Sequence, residues 1–557
     1  MPGTGGVEQG TDGLWKSTTS SFSPWGTSIM RRFHSYGPVD KEIHFCAERT
    51  EIVNSCMDQM IGQPNKGCHY FTLWAPRQTG KTWLMREVTQ LIEHAYPDQF
   101  IIGMMSMQGV IMQESEPPDA FLKRIPRLMR QNLSVDVPQP DSWEGLPWLF
   151  SKDAAIFKKP VILFIDEFDS LPSVVIDQLV VLFRDMYLNR SSYLLHGLAL
   201  IGVRAVLGVD SLRGSPFNIQ RSLHVPDFTL DEVTDLFDQY QQESGQVVEP
   251  EVVGSVYEST NGQPGLVGWF GELLTEKYNP GKDRSIDPNM WKTVHHAAIT
   301  LEWNNTVLNL VKKVRMGYVP HVLELFSRSD VSFSIDTEWC AYLYMNGVIV
   351  PELQTGENGG KTSVCRFSCA FLQKRLYNAL TDDLIGDRLP MLAVDPLDDL
   401  TDVFEGDFLN LPPLLDRYKA YLVRMKAKGL NPFKDQHRRT DLHYTEAVGH
   451  FHLYAWLQAA IGRRCVTSPE FPTGNGKVDI HIRCNGKKGI IEVKSFVDMS
   501  ETRKGTEQAA AYARSLNLNS VTLALFVPVD DETVLTKLSG EHQSNGVTVT
   551  VVAIGWT

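Results

Sequence analysis

Apolar residues along this chain change rhythm several times, and each change marks an element. Residues 69–74 (HYFTLW) form a short, mostly apolar run that ends at a polar loop. From residue 81 the apolar positions of KTWLMREVTQLIEHA fall three and four apart, the period of an amphipathic helix. Residues 158–171 (KKPVILFIDEFDSL) are apolar without alternation, which suits a strand buried on both faces of a parallel sheet. Residues 100–110 and 193–208 read as two further strands. Strands alternating with helices predict an α/β domain.

The rhythm then becomes helical. Residues from about 300 to 385 are helix-rich and contain GVIVPELQTGENGGKTSVCRFS, two strand-like runs around a Gly/Asn-rich turn, the pattern of a hairpin. Residues 389–418 are acidic and interrupted by Pro390, Pro396, Pro412 and Pro413, which predicts a connector. Beyond residue 440 the pattern changes again. LHYTEAVGHFHLYAWLQAAIG (442–462) predicts an amphipathic helix carrying Glu446. VDIHIRC alternates like a half-buried strand, NGKKG is a turn, and IIEVKSF returns antiparallel. Residues 501–518 read as a helix and SVTLALFVP as a strand.

Composition narrows the class. The chain has 557 residues, enough for roughly three to four domains of ~150 residues. A formal net charge of −13 argues against a uniformly basic nucleic-acid binder. One local exception is residues 417–439, rich in Lys and Arg, which read equally as a solvated helix face or a phosphate-binding surface. The eight cysteines show no CxxC spacing, so buried free thiols in a reducing compartment are expected. The first residues lack a basic-then-apolar signal pattern and read as a flexible leader. No apolar run reaches the ~20 residues that cross a bilayer. The expectation is a soluble intracellular protein, cytoplasmic or nuclear, with no membrane partner.

Two motifs carry chemistry. The first is Ala75-Pro76-Arg77-Gln78-Thr79-Gly80-Lys81-Thr82, between the first strand and its helix. It departs from the Walker A phosphate loop only by Ala75 at the first glycine. Backbone N–H groups in such a loop wrap phosphates at a helix N-terminus. Gly80 permits close approach, Lys81 reaches the β- and γ-phosphates, and the Thr82 hydroxyl ligates Mg²⁺. About 85 residues later Asp166-Glu167 closes the apolar strand in the Walker B arrangement. Asp166 is expected on the Mg²⁺ through water, and Glu167 on the attacking water. Arg204 falls where a γ-phosphate sensor belongs, or on the surface; Arg213 and Arg221 are candidate arginine fingers.

The second motif is Glu492-Val493-Lys494. Side chains two apart leave one face of a strand, so Glu492 and Lys494 are neighbours. Alone, the pair reads equally as an ion pair. Asp479 lies on the preceding strand, on one face with His481 and Arg483. If the hairpin brings the two faces together, its acids repel unless a divalent cation lies between them.

These motifs carry resemblances. SPFNIQRSLHVPDFTLDEVTDLFDQY, followed by TNGQPGLVGWFGELL, resembles the lid of AAA-like ATPases related to the archaeal-type and STAND ATPases, over roughly residues 35–280. The resemblance implies that the Gly262-Gln263-Pro264 motif sits beside the nucleotide, placing Pro264 in the ATP site. It implies an ATP-driven switch or motor, self-association through the ATPase domain, and a winged helix after the lid that packs on the nucleotide domain or binds DNA. From about residue 440 the chain resembles the PD-(D/E)XK, restriction-endonuclease-like fold. That resemblance implies that Asp479 and Glu492 hold Mg²⁺, Lys494 orients and activates water, and Gln508 and Glu446 support the centre. Val478 replaces the proline of the family's label, and Glu470 has no assigned role. The order is similar to that of Crinkler-type ATPase–nuclease proteins.

The reading is therefore an α/β chain in six parts: a leader (1–34), a P-loop NTPase core with a parallel sheet (35–225), a helical lid (226–295), a winged-helix-like domain (296–385), a connector with the basic segment (386–439), and a restriction-endonuclease-like α/β domain (440–557). The expected function is an ATP-hydrolysing protein whose nucleotide state gates a Mg²⁺-dependent nuclease acting on DNA. Two alternatives stand beside it: a STAND-like switch that oligomerises on nucleotide exchange, and a nuclease fold that only holds DNA.

Overall fold

The computed structural model describes residues 30–62, 68–113, 115–202, 221–327, 331–355, 361–385, 400–404, 409–427, 429, 433, 442–462, 465–473, 476–484 and 486–556. Arg204, Arg213 and most of the leader lie outside these residues, as do Lys428, Lys434, Arg438 and Arg439 of the basic segment. No described helix is long and apolar enough to cross a membrane.

The N-terminal sheet has five strands: β1 (Tyr70–Trp74), β2 (Ile101–Ser106), β3 (Val161–Asp166), β4 (Leu195–Gly202) and β5 (Arg221–His224). They are all parallel, in the order β2-β3-β4-β1-β5. Strand residues alternate between two cores, as a pleated sheet covered on both faces requires. Phe71, Leu73, Ile162, Phe164, Ala199 and Ile201 pack against the helices Thr50–Ile61 and Lys81–Ala95. Tyr70, Leu163, Ile165, Leu198 and Leu200 pack on the other side against Ile125–Leu133 and Ser173–Leu188. The carboxyl ends of β1 and β3 thus point the phosphate loop and Asp166 to one edge, where open parallel sheets bind ligands.

Helices follow. Leu230–Ser244 opens with a capping box, in which Thr229 and Glu232 satisfy each other's main-chain N–H groups. Pro264–Glu272 starts with proline at its first position, and the Gln263 side chain caps it by accepting from the Leu266 N–H. Next come Pro288–Thr300, Asn305–Arg315, Val319–Ser327 and Glu338–Met345, the antiparallel hairpin β6 (Ile349–Thr355) and β7 (Lys361–Phe367), and the helix Ala370–Ile385.

The proline-rich connector differs from expectation. Pro412 begins a helix, Pro412–Ala427, whose Leu414, Leu415, Tyr418, Tyr421 and Leu422 are buried. Proline fits the first helical position because its missing N–H has no intrahelical partner there. The basic residues on this helix are partly neutralised: Arg417 pairs with Asp402, Lys419 with Asp416 and Lys426 with Asp530.

The C-terminal sheet is mixed and six-stranded, in the order β12-β13-β11-β10-β9-β8. Its strands are β8 (Val466–Thr473), β9 (Gly476–Cys484), β10 (Lys487–Ser495), β11 (Ser520–Val527), β12 (Gly540–Ser544) and β13 (Val547–Gly555). The pair β9/β10 is antiparallel with Ile480 opposite Ile491 and His481 opposite Ile490, while β10/β11 and β11/β13 are parallel. Helix Leu442–Ile461 covers one face through Phe451 and Trp456, and helix Met499–Ser515 covers the other through Ala509, Ala510 and Ala513. The first of these helices is not amphipathic in its setting: residues 448–457 are buried without a break. Helices Val319–Ser327 and Ala370–Ile385 cover this face through Phe326 and Tyr377, which pack on Phe451.

Candidate functional site

The phosphate loop leaves β1 at Trp74 and enters the helix at Lys81. Left-handed backbone occurs at Gln78 (φ 59°) and Gly80 (φ 90°), and not at Ala75. Glycine is therefore demanded at position 80 and not at position 75, where a buried alanine fits the turn. The Lys81 Nζ is folded onto the loop, donating to the carbonyls of Ala75 (2.9 Å) and Pro76 (2.7 Å). Burial, only partly offset by Asp166 and Glu167, pulls its pKa down to about 8. The Thr79 hydroxyl donates to the Pro76 carbonyl at 2.9 Å.

The second motif sits opposite. The Thr82 hydroxyl donates to the Asp166 carboxylate at 3.0 Å, joining the two motifs across the sheet edge. The other Asp166 oxygen accepts the Glu167 N–H at 2.9 Å. Glu167 itself is left-handed (φ 52°). Burial, then the Asp169 and Asp166 carboxylates, raise its pKa.

A cavity of about 470 Å³ opens over this edge. The loop residues Arg77 to Thr82, together with Asp166 and Glu167, form one wall. Residues 33–49 and the helix after Gln263 contribute further walls, including Arg49, Pro264 and Gly268. Pro264 is thus at the site. Gln263 reaches the Arg77 carbonyl at 3.2 Å, and the Gly265 N–H donates to the Gln78 carbonyl at 3.0 Å. Arg49 is a cavity residue that sequence reasoning passes over. Its guanidinium is held by Glu232 and the Pro226 carbonyl, and no local motif marks it.

The second candidate centre lies on β9 and β10. The register places His481 opposite Ile490, so Asp479, Glu492 and Lys494 share one sheet face, as expected. The Asp479 carboxylate accepts the Val493 N–H at 2.7 Å. Lys494 Nζ lies 3.5 Å from Glu492 and 3.6 Å from Glu446, and Glu446 also accepts the Ser495 N–H at 3.1 Å. Glu492 is 1% exposed, and its Oε2 accepts no hydrogen bond among the described residues. Burial first, then the Asp479 carboxylate, push its pKa well above the carboxylate range. Burial pulls Lys494 down, but Glu446, Asp479 and Glu492 outweigh it and hold the ammonium well above the usual lysine range.

Gln508 is present on the covering helix, donating to the Tyr512 hydroxyl at 2.7 Å. Tyr512 is a second residue missed by sequence reasoning. Its field of carboxylates, after burial, raises its pKa, and its four-residue spacing from Gln508 was the available signal. Glu470 lies on β8 and Arg221 on β5. Among the described residues no three His, Cys, Asp or Glu side chains converge on a common metal position. The centre offers two carboxylates, Asp479 and Glu492, and the buried orphan oxygen of Glu492 fits a divalent cation, which satisfies such an atom without a proton donor.

Comparison with known proteins bears on the N-terminal part. Residues 34–277 match the AAA-like domain family, so the chain carries an AAA-like P-loop ATPase domain. Among solved structures, the Walker-type ATPase PABY2304 of Pyrococcus abyssi is 16% identical, over 62% of this chain and 99% of that one, with a TM-score of 0.41. The Aeropyrum pernix ORC1 protein, solved in complex with DNA, is 15% identical over 62% and 95%, with a TM-score of 0.32. The Thermotoga maritima RuvB Holliday junction branch migration motor is 13% identical over 57% and 92%, with a TM-score of 0.31. No curated protein matches the chain in sequence.

Proposed function

We propose that this protein binds and hydrolyses ATP, and that its nucleotide state gates a C-terminal Mg²⁺-dependent nuclease acting on DNA. The observation that carries the nuclease half is Glu492: a buried carboxylate with one oxygen unsatisfied, between Asp479 and Lys494.

At the ATPase site, the N–H groups of Arg77 to Gly80 take the phosphates, with Lys81 leaving its two carbonyl acceptors to meet them. Thr82 and Asp166, already in contact, would hold the Mg²⁺ that accompanies the nucleotide. Glu167, its carboxyl poised by burial, takes the proton of the attacking water. Pro264 closes the cavity beside the nucleotide.

At the nuclease site, Asp479 and Glu492 would hold a divalent cation, which when bound would supply positive charge to the phosphodiester and acidify water. Lys494 stays an ammonium at neutral pH, so it orients water and stabilises the anionic phosphate, and does not abstract a proton. Glu446 fixes Lys494, and Gln508 with Tyr512 closes the flank. With a net charge of −13, DNA binding rests on a local surface, not the whole molecule.

The test is a cleavage assay on DNA and RNA with Mg²⁺, with and without ATP. Asp479→Ala is expected to abolish cleavage and to leave ATP binding intact. Cleavage at the wild-type rate in that variant refutes the nuclease assignment, and cleavage indifferent to ATP refutes the gating.

A further inference from the structure

The helices and hairpin from residue 305 to 385 touch the phosphate loop and the helix that backs the second centre. At one end they meet the phosphate loop. The Thr306 hydroxyl donates to the Gln78 side chain. Gly347 presses on the Pro76 ring so closely that a Cβ there would lie 2.8 Å from it. The Tyr344 ring meets Trp74, the last residue of β1, at 5.4 Å. Lys313 is hydrogen-bonded to Asn346, which ties the helix bearing Thr306 to the turn before β6.

At the other end the same module meets helix Leu442–Ile461, whose His450 reaches β9. Tyr377, on the helix that follows β7, stacks on Phe451 at 4.2 Å. Its hydroxyl lies 3.4 Å from His450 Nδ1, and His450 Nε2 lies 2.9 Å from the Asp479 main-chain carbonyl. A carbonyl only accepts, so Nε2 carries the proton; in the neutral ring Nδ1 then accepts from Tyr377. The carboxylate of Asp479 is fixed by Val493, and its backbone by His450.

We infer that this module reads the conformation of the phosphate loop through Thr306 and Gly347 and sets the backbone at Asp479 through Tyr377 and His450. His450 is a positioning residue for Asp479. The inference rests on the proposed function and names its internal line of control. Phosphates entering the loop compete with the Ala75 and Pro76 carbonyls for Lys81. Pro76 and Gln78, the two residues the module grips, lie where that exchange changes the surroundings most. A ligand moves a distant group only by interacting differently with two arrangements of what lies between.

The test is hydrogen exchange on the full chain in EDTA, with and without ATP, so that no metal acts on residues 476–495 directly. In the wild type, ATP is expected to slow exchange at 75–95 and to alter it at 476–495. Tyr377→Phe, which keeps the ring, and His450→Phe are expected to retain the first response and lose the second. His450→Gln, whose amide can still donate to Asp479, is expected to recover it. A purely structural role shifts exchange at 476–495 equally in both states and leaves the ATP-dependent difference intact, which overturns the inference. A wild-type response at 75–95 with none at 476–495 overturns it too, while ATP binding stands. No response at 75–95 sinks the nucleotide reading itself and this inference with it.

Discussion

Nucleotide affinity should fall as pH rises through 8, because Lys81 is an uncharged amine above that point in the free protein. Its amino group is buried against two carbonyls, and its pKa is depressed to about 8. Bound phosphates favour the ammonium and lift that pKa back. The free pKa lies below the bound one, so binding takes up a proton above pH 8. Affinity is therefore flat below pH 8 and weakens by ~tenfold, or ~1.4 kcal/mol, per further pH unit. Between about pH 7.5 and 9.5 the single-site expression gives a loss of roughly 25-fold. The assay is a titration with a fluorescent ATP analogue in EDTA, which removes the separate contribution of metal at Thr82 and Asp166. The Cys46 thiol that also lines the cavity is pushed up to about 11 by burial and stays neutral over this range. Lys81→Gln should bind weakly and with no slope. A flat wild-type profile, or an equal slope in Lys81→Gln, refutes the reasoning.

Three further outcomes follow from named contacts. Lys494→Ala should lower Mg²⁺-dependent cleavage by more than ~100-fold while sparing ATP hydrolysis, read by parallel cleavage and phosphate-release assays. Glu492→Gln should raise the melting midpoint at pH 8 in EDTA. The sign follows from a folded pKa above the unfolded one: the carboxyl destabilises the fold once pH passes the unfolded value, and more so up to the folded one. Added Mg²⁺ should stabilise the wild type and not that variant. Gly268→Ala should lower the midpoint by ~1–3 kcal/mol, since its Cβ would lie 2.3 Å from the His34 carbonyl oxygen, a backbone atom that cannot turn aside.

The elements that were legible in sequence are those whose burial is local. β3 is covered by helices on both faces, so its apolar run needs no knowledge of the rest of the chain. The phosphate loop is legible because its chemistry fixes residue types at fixed spacing. Edge strands are not: β12 is GEHQS, with four of its five residues exposed, and an outer strand needs no apolar pattern. Helix Leu442–Ile461 misleads in the other direction. Over residues 448–457 its second face is buried by residues far away in sequence, such as Tyr377, so its period predicts a solvent face that is covered there. The two carboxylates and the lysine of β9 and β10 could be paired from strand period alone, whereas His450, Thr306 and Arg49 act through tertiary contacts that leave no local signature.

The division of the cores bears on how control could travel. The N-terminal sheet keeps two cores to itself. A third runs without a break from Trp269 and Phe270, through Phe371, Tyr377 and Phe326, to Phe451, Trp456 and Val493 of the C-terminal sheet and its covering helix. Close-packed interiors deform little and pass displacement on. The helices after residue 264, the middle module and the C-terminal sheet share one continuous core, separate from those of the N-terminal sheet. The phosphate loop lies on the seam, gripped from that side by Gly265, Gln263, Thr306 and Gly347. On the proposed reading, a rearrangement of the loop on nucleotide binding acts on the core that continues to the sheet carrying Asp479. Loosening that core should uncouple the two centres before it unfolds either: Phe451→Ala, which removes the ring stacked on Tyr377, is expected to leave ATP hydrolysis standing while the ATP dependence of cleavage is lost. Retention of full ATP dependence in that variant would place the control elsewhere.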